Sequence, residues 1–505
     1  MKKFECHQVP TWISHRSYDI DGEQRTLISN HRTLESFCLE DESSIAWRLL
    51  LGEQPGTLDR DLFSAENLEE FAEMLATHHV LDTCDPLTSS SDFASDEDTP
   101  YQDSVEHEAD NLERSAELRV SDWLDQKGML STGFIEVTYG CNEKCLHCFN
   151  PGATHEVGGK HTRDSSGLPL ESLLNIIDEL YDQGVYGMVV SGGEFFTYKY
   201  WYEALEKLHS LRLRTTLFTN GINLKDRHFD ALAKFHPYEV DISIYSIHAH
   251  KHDEFTQVPG AWQMSVDTIR RLVELGIRVK IKTPLMQDTA FEYRDLRMLA
   301  DELGAEISFD TLISAANDGA KQPLNFNVSD FNQLVHLSLE ADSPWYVGTA
   351  TAPQKRTIDR KKNAPCGIGK STIAVSAQGK ILPCVALPKE LGDATKPGEI
   401  ERVVKHKGDT AGSEDTLGYW RAFTYADSQE CGTHDRCAFC FRCIGGSYVD
   451  SGTHLTPSAN QCFQADARLF THNLVVEGLS AEEIKNLYPV KSRLEESLIP
   501  AIQVT

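Results

Sequence analysis

Between residues 134 and 340 the chain alternates short, nearly continuous apolar runs with longer segments whose apolar residues recur every three or four positions. The runs FIEVT (134–138), GMVVS (187–191), RTTLFT (214–219), VDISIY (240–245), RVKIKTPL (278–285) and EISFDTLI (306–313) read as strands buried on both faces. LESLLNIIDELYDQG, YWYEALEKLHSL, DRHFDALAKF, AWQMSVDTIRRLVELG and YRDLRMLADELG read as amphipathic helices between them. This alternation predicts an α/β fold with a parallel sheet covered by helices. Six such units predict a partial (β/α)6 TIM-like barrel, open on one side, with its chemistry at the carboxyl ends of the strands.

The pattern changes on either side. TWISHRSYD and TLISNHRTLESFCLE alternate as short strands, and SIAWRLLLGE and NLEEFAEMLATHHVL repeat at helical spacing, so residues 1–85 predict a small α+β module. Residues 86–113 are acidic, Ser-rich and nearly free of large aliphatics, with no Lys or Arg between Arg60 and Arg114. Such a segment buries too little apolar surface to order itself and reads as a flexible tether. The barrel is then expected over residues 114–343. In residues 344–505 the alternation is lost to cysteines, glycines and turns, and metal rather than a large core is expected to hold that region together. STIAVS and KILPCV around AQG predict a hairpin there, and SAEEIKNLYPVKSRLEESL a terminal helix with Ser480 as its N-cap.

At 505 residues the chain implies several domains, and 40% hydrophobic with 25% charged residues implies a globular protein. No apolar run approaches the ~20 residues needed to cross a bilayer, and the basic N-terminus lacks the apolar stretch of a secretory signal. The expectation is cytoplasmic residence without a membrane partner. A formal charge of -29 repels phosphate backbones and argues against nucleic acid. It would favour a basic or neutral peptide, or serve solubility alone.

Thirteen cysteines in such a chain suggest metal or catalysis rather than disulfides. Cys6, Cys38 and Cys84 are scattered, whereas Cys141, Cys145 and Cys148 are bunched in TYGCNEKCLHCFN, just after the first barrel strand. Three thiolates on one loop can hold three irons of a [4Fe–4S] cube and leave the fourth iron open. A zinc knuckle is the alternative, with His147 or His155 as its fourth ligand. A second constellation comprises Cys366, Cys384, Cys431, Cys437, Cys440, Cys443 and Cys462, for which structural zinc is again the alternative. Two further patterns carry little: GIGKST lacks the first glycine of a phosphate loop, where Ala364 stands, and His248, His250 and His252 alternate without a clear carboxylate or cysteine partner.

The Cys141-x3-Cys145-x2-Cys148 spacing, with His147 before the last cysteine, resembles the signature of the radical S-adenosylmethionine (SAM) superfamily. Ser191-Gly192-Gly193-Glu194 closes the second strand and resembles that family's GGE element. The resemblance implies that Gly192 and Gly193 let the cofactor's methionine moiety approach the backbone, that Glu194 takes its ammonium, and that Ser243 on the fourth strand supplies a hydroxyl, although Ser246 is nearby. It further implies reductive cleavage of the cofactor to a 5′-deoxyadenosyl radical that abstracts a hydrogen atom. The Cys366-x12-Gly379-x4-Cys384 run and the cysteines after it resemble the SPASM extension, which implies one or two auxiliary iron–sulfur clusters. The spacing departs from that family's CX2CX5CX3C, and Ser447 stands where a cysteine is often found, so one cluster is expected to have only three protein ligands or to be smaller than a cube.

Residues 1–85 resemble the winged-helix-like modules that recognise leader peptides by adding them as a strand to a sheet edge. The whole is similar to a maturase that installs a thioether or carbon–carbon cross-link in a ribosomally made precursor peptide, served by an external reductant such as flavodoxin or ferredoxin. The rivals are a peptide epimerase and a maturase of whole proteins of the sulfatase or quinohemoprotein type, or, outside catalysis, an iron–sulfur electron-transfer protein. Epimerisation ranks lower because every cysteine in residues 134–340 belongs to the triplet, leaving no spare thiol there to return a hydrogen atom. Asp310, Lys282 and Glu194 lie near strand ends as candidate bases.

Overall fold

The computed structural model describes residues 9–53, 63–81, 115–150, 167–340, 355–405 and 413–490. The acidic tether, Cys6, Cys84 and His155 lie outside these residues. Among the described residues no helix is long and apolar enough to cross a membrane.

The N-terminal segment forms an antiparallel meander of β1 (Ile13–Ile20), β2 (Glu23–Asn30) and β3 (Ser36–Glu40). Alternation along these strands buries both faces. Ile13 and Ile28 pack with Trp47 of the helix Asp41–Leu50 and with the helix Ala65–Thr77, while Tyr18 and Leu27 pack on Val120 and Trp123 of the helix Ala116–Gln126. The latter helix follows the acidic stretch in sequence yet covers this sheet.

The six predicted barrel strands are present in sequence order as β4 (Thr132–Glu136), β5 (Gly187–Ser191), β6 (Arg214–Thr219), β7 (Glu239–Ser243), β8 (Val279–Pro284) and β9 (Glu306–Asp310), all parallel. Helices such as Leu170–Asp182 and Ala261–Glu274 cover the outer face with Leu173, Ile176, Val266 and Ile269. The cysteine-rich region departs from expectation. Its hairpin, β10 (Thr372–Val375) and β11 (Lys380–Leu382), joins the main sheet: β10 runs parallel beside β4, and β12 (Gly392–Asp393) follows β11. The result is one nine-stranded, mostly parallel sheet that stays open between β9 and β12. Ile373, Val375, Ile400, Trp420 and Ile444 share a single apolar core with the barrel strands, so the region has hydrophobic as well as thiol-rich support. The histidine run lies where β7 passes into the next helix. His248 occupies the N-cap position of the helix Ala249–Thr256 without a side-chain capping bond, and the His252 ring accepts the Tyr245 N–H at 3.2 Å.

The N-terminal module docks through β1 on the end of the barrel where the parallel strands begin. Arg16 Nη1 donates to Val185 O at 2.6 Å and Nη2 donates to Tyr181 O, with the guanidinium over the Tyr181 ring. Tyr18 donates to Gly184 O at 2.9 Å, and His31 Nδ1 to His236 O at 3.1 Å. Burial holds three imidazoles of this contact neutral, lowering His15 from 6.5 to about 4, His31 to about 3 and His236 to about 4. A folded-state value below the unfolded one favours the docked form fully above about pH 6.5 and loses that contribution as pH falls towards 4. Deuterium uptake by β1 amides, corrected for intrinsic rates, is therefore expected to rise between pH 7 and pH 5 while that of β10 does not; equal change in both strands would contradict this.

Candidate functional site

All six parallel strands end on the side opposite the docked module, and four of those ends converge on one cavity of about 280 Å³. Cys141, Cys145, Cys148, His147, Gly192, Gly193 and Ser243 all line it, together with Asn220, Asp241 and Lys282. Convergence of Ser191, Phe218, Asp241 and Lys282 from β5, β6, β7 and β8 requires the sheet to curl around this space.

The loop carrying the three thiols is held on both sides. Lys144 N–H and Leu146 N–H donate to Thr256 O and Phe255 O at 3.0 and 3.1 Å, and Asn150 Nδ2 donates to Gly192 O at 3.0 Å. The Gly193 and Glu194 amides donate to Thr138 O and Gly140 O at 2.6 and 2.8 Å. This approach explains both glycines. A Cβ on either would lie closer than 3.0 Å to Thr138 O or Gly140 O, and Gly192 has φ +151°, outside the range of ordinary side-chain-bearing residues.

Glu194 is 2% exposed. Its Oε1 accepts from Thr219 Oγ1 at 2.7 Å and Phe196 N–H at 3.0 Å, and its Oε2 from Asn220 N–H at 2.7 Å. The carboxylate thus ties the end of β5 to that of β6 in this structure, and contact with an ammonium would be shared with these donors. His147 is packed edge-on against Tyr245 at 4.8 Å and near Phe255 at 4.9 Å, with burial lowering it to about 4, so the ring is a neutral aromatic wall. Ser243 lines the cavity, whereas Ser246 is buried and donates to Glu292 at 2.5 Å.

Several residues here carry no sequence signal. Glu143 Oε2 lies 3.2 Å from Cys145 Sγ, and burial pushes its carboxyl up to about 7. Asn220 Nδ2 lies 4.0 Å from Cys141 Sγ, and the Tyr245 hydroxyl 3.9 Å from Cys145 Sγ. Asp241, 4% exposed, stands 3.7 Å from Lys282 Nζ and is pushed up to about 7 by burial and then by the charge of Glu239. Only the alternation of β7 and β8, which turns residues 239, 241 and 280, 282 inward, could have located this pair.

The C-terminal cysteines separate into two groups by electrostatic proximity. Cys443 senses Cys384 and Cys366, while Cys431, Cys437, Cys440 and Cys462 sense one another. Cys462 lies in the first turn of the 18-residue helix Ala459–Val476. Ser447 is buried near Gln461 Oε1 at 3.4 Å. Asp310 neighbours both Lys282 on the cavity wall and Cys443 of the three-thiol group. Arginines ring the four-thiol group, Arg356 donating to Cys440 O and Arg360 to Cys431 O.

The donor sets fit iron–sulfur clusters. Burial pushes Cys141 and Cys440 up to about 12, so thiolate forms there only against a compensating cation such as a bound metal. Among the described residues no three donors converge on a point suited to a single ion. Gly192→Ala is expected to lower stability by about 1–3 kcal/mol and to weaken iron retention at the loop. Gly418→Ala, with open space at its Cβ, should be neutral or stabilising by up to about 1 kcal/mol. Thermal unfolding and iron analysis of the two variants check this.

The Radical SAM superfamily model matches residues 135–299. The subtilosin biosynthesis protein AlbA of Bacillus subtilis is 25% identical over 334 residues, covering 62% of this chain and 66% of AlbA, slightly under two thirds of its length. An AdoMet-dependent heme synthase of Nitratidesulfovibrio vulgaris is 24% identical over 347 residues, covering 63% of this chain and 89% of the synthase. In fold, the chain is similar to Streptococcus suis SuiB bound to precursor peptide SuiA, with a TM-score of 0.53 at 14% identity over 90% of this chain and 99% of SuiB. The superfamily match begins within β4 and ends in the helix after β8, and so contains the thiol loop, the two glycines and the strand ends around the cavity: the chain carries a radical SAM domain.

Proposed function

We propose that this chain is a peptide maturase that abstracts a hydrogen atom from a ribosomally made precursor peptide and installs a cross-link, a thioether in preference to a carbon–carbon bond. The observation that carries this reading is the division of the seven C-terminal cysteines into groups of four and three, the three-thiol group standing next to the radical cavity through Asp310. Four thiols complete a cube, whereas three leave one iron open to a further ligand, for which a substrate cysteine thiolate is chemically suited. The likeness to AlbA and to peptide-bound SuiB supports a peptide substrate.

Cys141, Cys145 and Cys148 would hold the [4Fe–4S] cluster, which with S-adenosylmethionine supplies a hydrogen-abstracting radical when bound. Gly192 and Gly193 shape the cofactor's cradle, and His147 with Tyr245 closes an aromatic wall that keeps water from it. Ser243 offers a hydroxyl, and Asp241 with Lys282 offers a charged pair at the cavity floor. Cross-linking removes two hydrogens from the peptide, so a second redox site beside the cavity suits a reaction that must dispose of an electron. The electron that starts each turnover would come from a flavodoxin or ferredoxin.

In this reading the N-terminal module captures the leader on the free edge of β3, which has no strand beyond it among the described residues, while β1 is occupied by docking. The tether over residues 86–113 would raise the local concentration of the attached peptide.

The likeness to heme synthases favours a tetrapyrrole substrate as the second reading. Product mass discriminates: a cross-linked peptide is lighter by two hydrogens, an epimerised peptide is unchanged, and a tetrapyrrole substrate leaves the peptide untouched. Reconstituted protein is expected to hold roughly eight to twelve irons, with about four lost in the Cys141/Cys145/Cys148→Ala variant together with all cofactor cleavage. Zinc in their place would sink the proposal. Adding precursor peptide should slow deuterium uptake along Ser36–Glu40 and leave Ile13–Ile20 unchanged; protection of neither strand would remove the leader-binding role.

A further inference from the structure

The run Cys440-Phe441-Arg442-Cys443 passes from one thiol group to the other, since Cys440 neighbours Cys431, Cys437 and Cys462 whereas Cys443 neighbours Cys366 and Cys384. Arg442 stands at that crossing and is 2% exposed. Its terminal nitrogens donate to uncharged acceptors, Ser428 Oγ and His454 O, and its Nε is buried without a hydrogen-bond partner. Among the described residues it forms no ion pair with an Asp or Glu, unlike the nearby Arg436, which meets Asp466 at 3.1 Å. The thiols that sense its charge belong to both groups: Cys366 on one side, Cys431 and Cys462 on the other.

A guanidinium does not give up its proton in a protein, and burying one without a counter-ion is costly. Retaining such a cation between two sets of cysteines is physically reasonable only if those sets carry negative charge in the working protein. Thiolate-ligated clusters do, and each becomes more negative by one charge when it takes an electron. A fixed cation close to both favours the reduced form of each.

We propose that Arg442 is the shared counter-cation of two auxiliary iron–sulfur sites, a positioning residue that raises the reduction potential of both and so suits them to accept an electron from the neighbouring cavity. The proposal rests on reading the seven cysteines as iron–sulfur ligands. It separates the charge sources around them: Arg356 and Arg360 donate to the Cys440 and Cys431 carbonyls of the four-thiol group, whereas the charge of Arg442 acts on thiols of both groups.

The test is a dithionite titration of full-length, anaerobically reconstituted protein, followed by electron paramagnetic resonance with iron and sulfide analysis. Arg442→Met removes the charge at similar length, and Arg442→Lys keeps it. The Met variant should shift both auxiliary signals to lower potential, the Lys variant should shift them much less, and the signal lost on replacing Cys141, Cys145 and Cys148 should not move in either. Unmoved auxiliary potentials in an Arg442→Met protein of full iron content would overturn the role of Arg442 and leave the cluster reading standing. Zinc, or no auxiliary signal in the unaltered protein, would overturn both. If Arg442→Met cannot retain iron, retention by Arg442→Lys with near-native potentials supports the counter-cation, and equal loss in both variants reduces Arg442 to a packing role and ends the proposal.

Discussion

The site depends on how closely the backbone after β5 approaches the backbone after β4. The Gly193 and Glu194 amides reach Thr138 O and Gly140 O, and no side chain fits between. From that contact the rest of the cavity follows. The thiol loop leaves β4 at a fixed angle, Asn150 returns its far end to Gly192 O, and the Glu194 carboxylate carries the constraint on to Thr219 and Asn220 after β6. Three strand ends are thereby locked before any cofactor arrives, which is the preorganisation a reactive radical demands.

Charge is distributed with a similar economy. The chain is strongly acidic overall, yet guanidinium groups gather about the C-terminal thiols, one of them buried without a carboxylate partner among the described residues. The lower barrel interior shows the opposite arrangement, in which opposite charges meet in pairs. Arg278 and Lys280 meet Glu239 and Glu306 at the lower end of β7, β8 and β9, and Lys282 meets Asp241 above them. Paired charges close the lumen at the end facing the docked module, while the Arg442 cation lies where anionic groups are expected.

The module and the cavity occupy opposite ends of the parallel strands. Strands of five or six residues are about 17–20 Å long, so in the proposed reading a leader held on β3 must be joined to its modified residue by a spacer that clears at least this height. The helix Ala116–Gln126 links the two bodies directly, because it covers β2 and β3 and its Glu117 carbonyl accepts from Tyr186 just before β5. Docking therefore uses one edge of the small sheet and leaves the other without a neighbouring strand among the described residues.

Much of this was legible in the residues themselves. The six strands fell on their predicted runs, since their outward faces are apolar even where β6 and β8 alternate with polar residues turned inward, and the thiol triplet stood out because its members are close in sequence. Ser480 was recognisable as a cap for the same local reason, its side chain accepting from Glu483 N–H. The addition of β10 beside β4 was not legible, because a pairing across more than two hundred residues leaves no periodic trace. Nor was the engagement of Glu194 by Thr219 and Asn220, the pairing of Asp241 with Lys282, or the burial of Arg442 without an ion pair among the described residues. By itself the sequence determined the elements and the loop that carries three thiols, because propensity, alternation and short spacing act between near neighbours. Only the tertiary structure decided which cysteines come close to one another and which charges find partners, because burial and Coulomb interaction depend on distance in space and not along the chain.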